Sequence, residues 1–289
     1  MYKIIEKKAL APQIFLMDIE APRVAKSAKP GQFVIVKMDE KGERIPLTIC
    51  DYDVLRGTVT IVIQTIGCST KEMENYEVGD SFLDFVGPLG QASELMSESI
   101  EELKNKKIIF IAGGLGTAPV YPQVKWLSEQ GVKADVIIGA KAKEYIILED
   151  EMKSVAGTVY PCTDDGSYGY KGLVTNKLKE LVQIEDKKYD LVIAIGPMIM
   201  MKFVCKLTEE LGITTIVSMN PVMVDGTGMC GACRITVDGE TKFACVDGPE
   251  FDGHKVNFQE AMRRQKIYKK EEVSENEGIK PGCGLGGTK

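Results

Sequence analysis

The chain has 289 residues, 44% of them hydrophobic, which is too long for one ordinary domain and ample for two cores. A formal net charge of −6 argues against a dedicated nucleic-acid binder, and no apolar run approaches the roughly 20 residues of a membrane-spanning helix. The single histidine, His254, excludes paired-histidine catalysis and a Rieske cluster within this chain. The first residues, MYKIIEKKAL, lack the apolar centre of a signal peptide, so a cytoplasmic protein is expected. In that reducing compartment the eight cysteines point to metal binding or burial rather than disulfides. The basic runs Lys104–Lys107 and Arg263–Lys270 are expected to be solvated helix faces.

Residues 1 to about 97 have the texture of β structure. Gln32–Lys37 (QFVIVK) and Thr58–Gln64 (TVTIVIQ) are short, β-branched and bounded by Gly, Pro or Asp. Their spacing predicts an antiparallel barrel. Within it, Arg44-Ile-Pro46-Leu47-Thr48 places a guanidinium suited to a diphosphate beside a hydroxyl suited to a flavin ring or its ribityl chain. Ile63 and Gln64, at the end of the second run, join this candidate site. Gly67-Cys-Ser69-Thr70 adds small residues, hydroxyls and backbone N–H groups able to cradle phosphate. Gly79-Asp80 and Gly87-Pro-Leu-Gly90 are expected to be turns closing the barrel. Each motif alone is equally a structural turn; the ordered set weakens that alternative.

The pattern then changes. Lys107–Ala112 (KIIFIA) is a continuous apolar run, as for a parallel strand buried on both faces. A helix to about Gln130, a strand at Ala134–Gly139, a helix near Glu144–Val155, a strand at Gly157–Cys162, a helix near Thr175–Val182 and a strand at Tyr189–Ile195 follow. This alternation predicts a doubly wound α/β sheet. Gly113-Gly114-Leu-Gly116-Thr117-Ala118-Pro119 ends a strand and opens a helix, the context in which free N–H groups hold a dinucleotide phosphate. It is G-x-G-x-x-P, not the usual G-x-G-x-x-G, and Pro119 suits a first helical turn. Asp164, Asp165 and Gly166 follow one strand and Gly196, Pro197 and Met198 another. Because ligands sit beyond the carboxyl ends of strands in such sheets, three loops make one plausible site. Capping by the aspartates and a simple turn at Gly196-Pro197 are the alternatives.

Beyond about Ser218, Gly, Cys, Asp and Met dominate, followed by a charged helix expected over Phe258–Glu272 and a polar tail. The strongest local signal is Asp225-x4-Cys230-x2-Cys233 with Cys245 downstream. Plant-type [2Fe–2S] sites use C-x4-C-x2-C and a distant cysteine. Here the spacing is kept, with aspartate in the first place. Iron accepts carboxylate, and three thiolates plus one carboxylate carry the formal charge of four thiolates. Gly226, Gly228 and Gly231 let the backbone wrap closely. Two alternatives stay open: a zinc knuckle, and a cluster whose fourth ligand is Cys205 or Cys283 with Asp225 a turn residue. Cys50, Cys68, Cys162 and Cys205 lie in or beside apolar segments and are expected to be buried thiols.

With these three blocks in this order, the chain resembles the ferredoxin–NADP reductase superfamily over roughly residues 1–270. It looks most like soluble electron-transfer subunits with a C-terminal [2Fe–2S] cluster, which form two branches. One serves class 1B dihydroorotate dehydrogenase. The other is the small (alpha) subunit type of NADH-dependent reduced ferredoxin:NADP oxidoreductase, also known as a sulfide dehydrogenase subunit. The second fits better: its ligands include an aspartate, where the first carries cysteine, and Asp247–Val256 with Met262-Arg263-Arg264 also looks like it. The family's flavin motif maps onto Arg44, Pro46, Leu47 and Thr48, its pyridine-nucleotide motif onto Gly113 to Pro119, and its ligands onto Asp225, Cys230, Cys233 and Cys245.

The resemblance implies an FAD-binding barrel (1–97), an NAD-binding α/β domain (98–217), a cluster subdomain (218–260) and a C-terminal helix and tail (261–289). It implies FAD, a [2Fe–2S] cluster and NAD(H) as cofactors, and a larger partner subunit holding flavin and [4Fe–4S] clusters, through which ferredoxin would be reached. The implied activity is flavin-based electron bifurcation, with no acid–base catalytic residue. The choice of NAD over NADP rests on the resemblance, since Lys141 and Lys143 suit either a 2′-phosphate or a solvated surface.

Overall fold

The computed structural model describes residues 1–267. Seven antiparallel strands come first: β1 (Tyr2–Ala11), β2 (Ile14–Glu20), β3 (Phe33–Lys37), β4 (Ile45–Asp53), β5 (Thr58–Gln64), β6 (Ser81–Phe82) and β7 (Asp84–Leu89), in spatial order β6-β1-β2-β5-β4-β3-β7. The edge strands β6 and β7 are consecutive, separated by Leu83 alone, whose N–H reaches the carbonyl of Lys37 at 3.0 Å. One stretch of chain thus serves both edges, and the barrel nearly closes, which leaves little free edge. Met17, Ile19, Val34, Val36, Ile49, Ile61, Ile63, Phe82 and Phe85 fill it. Helix α1 (Pro22–Ser27) plugs one side, and α2 (Cys68–Met73) follows β5. Gly79 does lie in a turn, at φ +104°, but Gly87-Pro88-Leu89 belongs to β7 rather than to a turn. A register shift against Phe33 and Ile35 of β3 accommodates the proline in that strand, and Gly90 (φ +76°) ends it.

After α3 (Ile100–Asn105) the second sheet begins. Its parallel strands are β8 (Ile108–Gly113), β9 (Asp135–Ala140), β10 (Val159–Thr163), β11 (Tyr170–Lys171), β12 (Leu191–Ile195) and β13 (Thr214–Ser218). Helices α4 (Thr117–Glu129), α5 (Glu149–Val155), α6 (Val174–Gln183) and α7 (Met198–Leu211) connect them. The alternation along each strand decides the layers. Phe110, Val136 and Ile193 face α4 and α5 through Val120, Val124, Leu127 and Met152. Ile109, Ile137 and Val192 face α6 and α7 through Leu178, Leu181, Met201 and Val204.

A hairpin, β14 (Arg234–Val237) and β15 (Glu240–Phe243), carries the cysteine-rich segment. Strand β16 (Glu250–Asp252) then pairs antiparallel with β13, completing the order β11-β10-β9-β8-β12-β13-β16. Helix α8 (Phe258–Arg264) packs on α7, capped by the Asn257 side chain accepting from Glu260 N–H at 3.0 Å. The predicted continuation of this helix past residue 267, the tail and Cys283 lie outside the described residues. Sequence periodicity missed α7 and β13, and placed a helix over 144–155 where only 149–155 is α-helical. Among the described residues no helix is long and apolar enough to cross a membrane.

Barrel and α/β domain meet through an apolar contact of Ile14, Cys50 and Val62 with Ala118, Ile147 and Leu148. Beside it, Lys125 of α4 donates to both carboxylate oxygens of Asp51 of β4, at 2.8 Å each.

Candidate functional site

Within the parallel sheet, β8 lies between β9 and β12, so the chain leaves β8 toward one face and β12 toward the other. Ligands bind at this reversal, beyond the carboxyl ends of the strands. The two loops there are Gly113–Gly116 and Gly196–Pro197, which the sequence groups with 164–166 into one expected site. They touch through backbone: a Cβ on Gly116 would overlap the Ile195 carbonyl oxygen and lie 3.0 Å from the Gly196 Cα. One on Gly113 would lie 2.5 Å from the Met200 sulfur and 2.9 Å from Pro197 Cδ. Glycine is thus required at 116, where the obstacle is backbone, while a side chain at 113 or 196 would crowd Met200 and the facing loop. Gly114 differs: it adopts φ +54°, and a Cβ there would meet nothing within 4 Å. That free space lies where a phosphate would approach the helix N-terminus. Thr117, buried at the first position of α4, donates its hydroxyl to the Gly114 carbonyl at 2.9 Å and fixes the loop. Ala118 and Pro119 complete the buried first turn.

Asp164, Asp165 and Gly166 follow β10 at the same edge of the sheet, where Asp164 N–H bonds the Ala140 carbonyl at the end of β9 at 3.1 Å. Asp165 is used internally: its Oδ1 accepts from the Ser167 hydroxyl at 2.7 Å and the Ser167 N–H at 2.9 Å, which hold its carboxyl below the ordinary range. Gly166 turns at φ +76° against Lys171. Met198 is buried at the start of α7, with Pro197 preceding it.

On the barrel, Pro46, Leu47 and Thr48 lie on β4 opposite Ile35, Val34 and Phe33 of β3. Gln64 ends β5 with its side chain partly exposed, whereas Ile63 is fully buried in the barrel core and offers a ligand only its backbone. Turn 114–116 contacts β5, the strand that ends in Ile63 and Gln64. Gly67 caps α2, and Thr70 is spent there: its hydroxyl accepts from Ile66 N–H (2.9 Å) and Gly67 N–H (3.1 Å). Ser69 donates to Glu43 at 2.5 Å. Arg44 donates through Nη2 to the backbone carbonyl of Asp225, at 3.1 Å, a bond between barrel and cysteine loop that no local pattern signals.

That loop, residues 219–233, bends through Gly226 (φ +81°), Gly228 (φ +89°) and Gly231 (φ +66°). Gly226 sits on the barrel wall, where a Cβ would lie 2.8 Å from Ile35. Cys233 and Cys245, both buried, bring their sulfurs to 3.2 Å. Cys230 is exposed on the same loop, with backbone N–H of Ala232 lowering its thiol pKa. Asp225 Oδ2 accepts from the Thr227 hydroxyl (2.6 Å), Thr227 N–H (2.9 Å) and Met229 N–H (3.2 Å), which keep it ionised well into acid. Among the described residues no three His, Cys, Asp or Glu side chains surround a common point. Cys233 and Cys245 are the pair already gathered, with Cys230 and Asp225 at the rim of the same loop. Burial first, then contact with Cys233, pushes Cys245 up to about 12. Iron would reverse this, since a coordinating thiol is deprotonated outright. Two abutting buried thiols, one on the glycine-bent loop and one just past the β14–β15 hairpin, with a third thiol and an anionic carboxylate on that loop, fit an iron–sulfur group. Cys205, in α7 against Gly253, is packed away from this loop, and His254 bonds Thr208 at 3.0 Å, so neither the Cys205 nor the zinc-knuckle alternative gains support.

The iron–sulfur cluster binding domain of dihydroorotate dehydrogenase B matches residues 220–257, and the oxidoreductase NAD-binding domain matches residues 110–206. A Clostridium beijerinckii protein described as an uncharacterized protein in the adh 3′ region is 62% identical, over 100% of both chains. The dihydroorotate dehydrogenase B (NAD(+)) electron transfer subunit homolog of Thermotoga maritima is 44% identical over 93% of this chain and 92% of its own. Among solved structures, a chain from the NADH-dependent reduced ferredoxin-NADP oxidoreductase, a structure bearing on flavin-based electron bifurcation, superposes with a TM-score of 0.87. It is 42% identical and covers 96% of this chain and 97% of its own. The fold is ferredoxin-reductase-like, and the chain belongs to the family of dihydroorotate dehydrogenase B electron transfer subunits and their homologues.

Proposed function

We propose that this chain is the electron-transfer subunit of a flavin-based electron-bifurcating NADH-dependent reduced ferredoxin:NADP oxidoreductase. The observation that carries this reading is the near-complete correspondence, at 42% identity, with a chain of that enzyme. The aspartate at position 225 of the ligand pattern agrees with it. The division of labour runs from the FAD barrel (1–97) through the NAD domain (98–217) to the cluster subdomain (218–260), with 261–289 as helix and tail. Arg44, Pro46, Leu47, Thr48, Ile63, Gln64, Gly67, Ser69 and Thr70 border the FAD. Gly113 to Pro119, Asp164 to Gly166 and Gly196 to Met198 border NAD(H), and Asp225, Cys230, Cys233 and Cys245 hold the [2Fe–2S] cluster.

Bound there, the flavin supplies exchange between two-electron hydride and one-electron chemistry, and the cluster supplies single-electron transfer. The protein's own contribution is placement. The backbone-to-backbone contact of Gly116 with Ile195 and Gly196 sets the nucleotide loop against β5. Arg44 and Gly226 set the cluster loop against the barrel wall. Burial of Cys233 and Cys245 and the backbone N–H groups around Cys230 and Asp225 would tune the cluster's potential. The subunit works in the cytoplasm with a larger partner carrying flavin and [4Fe–4S] clusters, through which ferredoxin is reached.

The match of residues 220–257 to the dihydroorotate dehydrogenase B cluster domain favours a second reading, service to a dihydroorotate-oxidising partner. Anaerobic co-purification of the native chain, read by mass spectrometry, separates the two. Recovery of a larger flavin and [4Fe–4S] subunit is expected; recovery of a dihydroorotate dehydrogenase barrel would overturn the first reading.

A further inference from the structure

Barrel, nucleotide-binding helix and cluster-bearing segment meet at one buried polar cluster that neither the flavin, nucleotide nor iron–sulfur site uses. Glu250 of β16 is 6% exposed, and Ser93 and Gln123 are each 1% exposed. Ser93 lies just past the barrel's last strand, and Gln123 sits on α4 roughly 9 Å along the helix from Thr117. Three contacts close a ring: Gln123 Nε2 to Glu250 Oε1 at 2.7 Å, Ser93 Oγ to Glu250 Oε2 at 2.9 Å, and Ser93 Oγ to Gln123 Oε1 at 3.1 Å. Glu94 N–H adds a fourth bond, to Glu250 Oε2 at 3.1 Å. Nearby, Gln91 N–H bonds the Gly248 carbonyl at 2.7 Å, so the same seam continues along the chain before β16.

Counting protons decides the state of this ring. Three contacts need three protons. The Gln123 amide supplies one and the Ser93 hydroxyl, with a single hydrogen, supplies one. With Glu250 ionised there is no third, and two oxygens would face each other at hydrogen-bond distance with nothing between them. Turning the Gln123 amide over does not help, because its oxygen would then face Glu250 Oε1 and again require a proton on the carboxyl. We propose that Glu250 is carried as a neutral carboxylic acid, and that its proton closes the ring which locks β16 to the barrel exit and to α4.

The surroundings agree. Glu94 faces Glu250, and Asp252 and Glu98 face Glu94, Asp252 being paired with Lys255 and Glu98 with Lys106; among the described residues Glu94 is the charged group that acts on Glu250 itself. Burial first, and the Glu94 charge with it, raise the Glu250 carboxyl above the ordinary glutamate range, against the hydrogen bonds it accepts. The folded chain therefore binds a proton that the unfolded chain has released. Stability falls as pH rises from the ordinary glutamate range through the folded pKa, and levels off above it. In Glu250→Gln a neutral amide can close the ring without titrating, provided that Gln123 turns over.

The test is infrared spectroscopy of the full chain, purified anaerobically with its cofactors, at about pH 7. The carbonyl band of a protonated carboxylic acid is expected in the wild type and absent in E250Q. The thermal midpoint of the wild type should fall with rising pH by a component that E250Q lacks. A wild type without that band, or a midpoint whose pH dependence is the same in E250Q, overturns the proposal. Should E250Q fail to fold, Ser93→Ala removes the middle hydroxyl: the band must shift or vanish, and an unchanged band overturns the proposal equally.

Discussion

Replacing Gly116 by alanine tests whether the two glycine loops form one site. The backbone of Gly116 is right-handed (φ −59°, ψ −12°), so alanine brings no conformational strain and any effect is steric. The added methyl would overlap the Ile195 carbonyl oxygen and lie 2.7 Å from its carbon. The carbonyl oxygen is the nearest obstacle, and relieving its overlap to an ordinary contact requires the loop to withdraw from β12 by about 1 Å or more. The obstacle is backbone at the end of a fully buried strand, and no side chain can rotate away. Overpacking of this kind costs about 1–3 kcal/mol, against which the stiffer unfolded chain returns ~0.4–1. A net loss of about 1–2 kcal/mol follows in urea unfolding. The functional cost is larger, because misplacing a positioning group by ~1 Å can cost ~100-fold. NADH titration by calorimetry should show affinity weakened by about ten- to a hundredfold. Leu55→Ala, at a side chain 98% exposed in the β4–β5 turn, is the control and should leave NADH binding unchanged. If Gly116→Ala binds NADH with wild-type affinity and stability, the loops are not packed as described and the reasoning fails.

Three further outcomes are expected. Asp225→Cys should retain iron but move the cluster's reduction potential in a potentiometric EPR titration; unchanged iron content and potential would remove Asp225 from the ligand set. Arg44→Gln should lower both FAD and iron content, measured by absorbance and iron assay, because the guanidinium both suits a diphosphate and bonds the Asp225 carbonyl; loss of FAD alone would limit it to the flavin. Burial pushes the thiols of Cys162 and Cys205 up to about 12 and raises Cys50 too, so at about pH 8 all three stay protonated. Iodoacetamide should leave them unlabelled in the native protein and label them after unfolding; rapid native labelling would contradict their burial.

Much of this molecule follows from local pattern. The continuous apolar run within Lys107–Ala112, short and β-branched and ended by glycines, suits a strand covered on both faces, and the glycine loop after it suits a phosphate. The spacing from Asp225 to Cys233 is local too, because neighbouring donors must reach a common metal group. Where local pattern failed, the chain was obeying distant neighbours. Gly87-Pro88-Leu89 has turn chemistry, yet pairing with β3 holds it in a strand. Helix α7 opens with Met198-Ile-Met-Met, whose periodicity is blurred because Met200 leans on Gly113 of another loop.

By itself the sequence determined most element types and the order of three blocks whose motifs suit flavin, nucleotide and iron–sulfur groups. Tertiary structure alone decided which blocks touch. Gly116 meets Gly196, Arg44 meets Asp225, and Ser93, Gln123 and Glu250 close a single ring only once two sheets have formed and packed. The physical reason is that periodicity and turn propensity act over a few residues. The proton on Glu250 and the glycine at 116 answer instead to atoms brought near by the burial of distant strands.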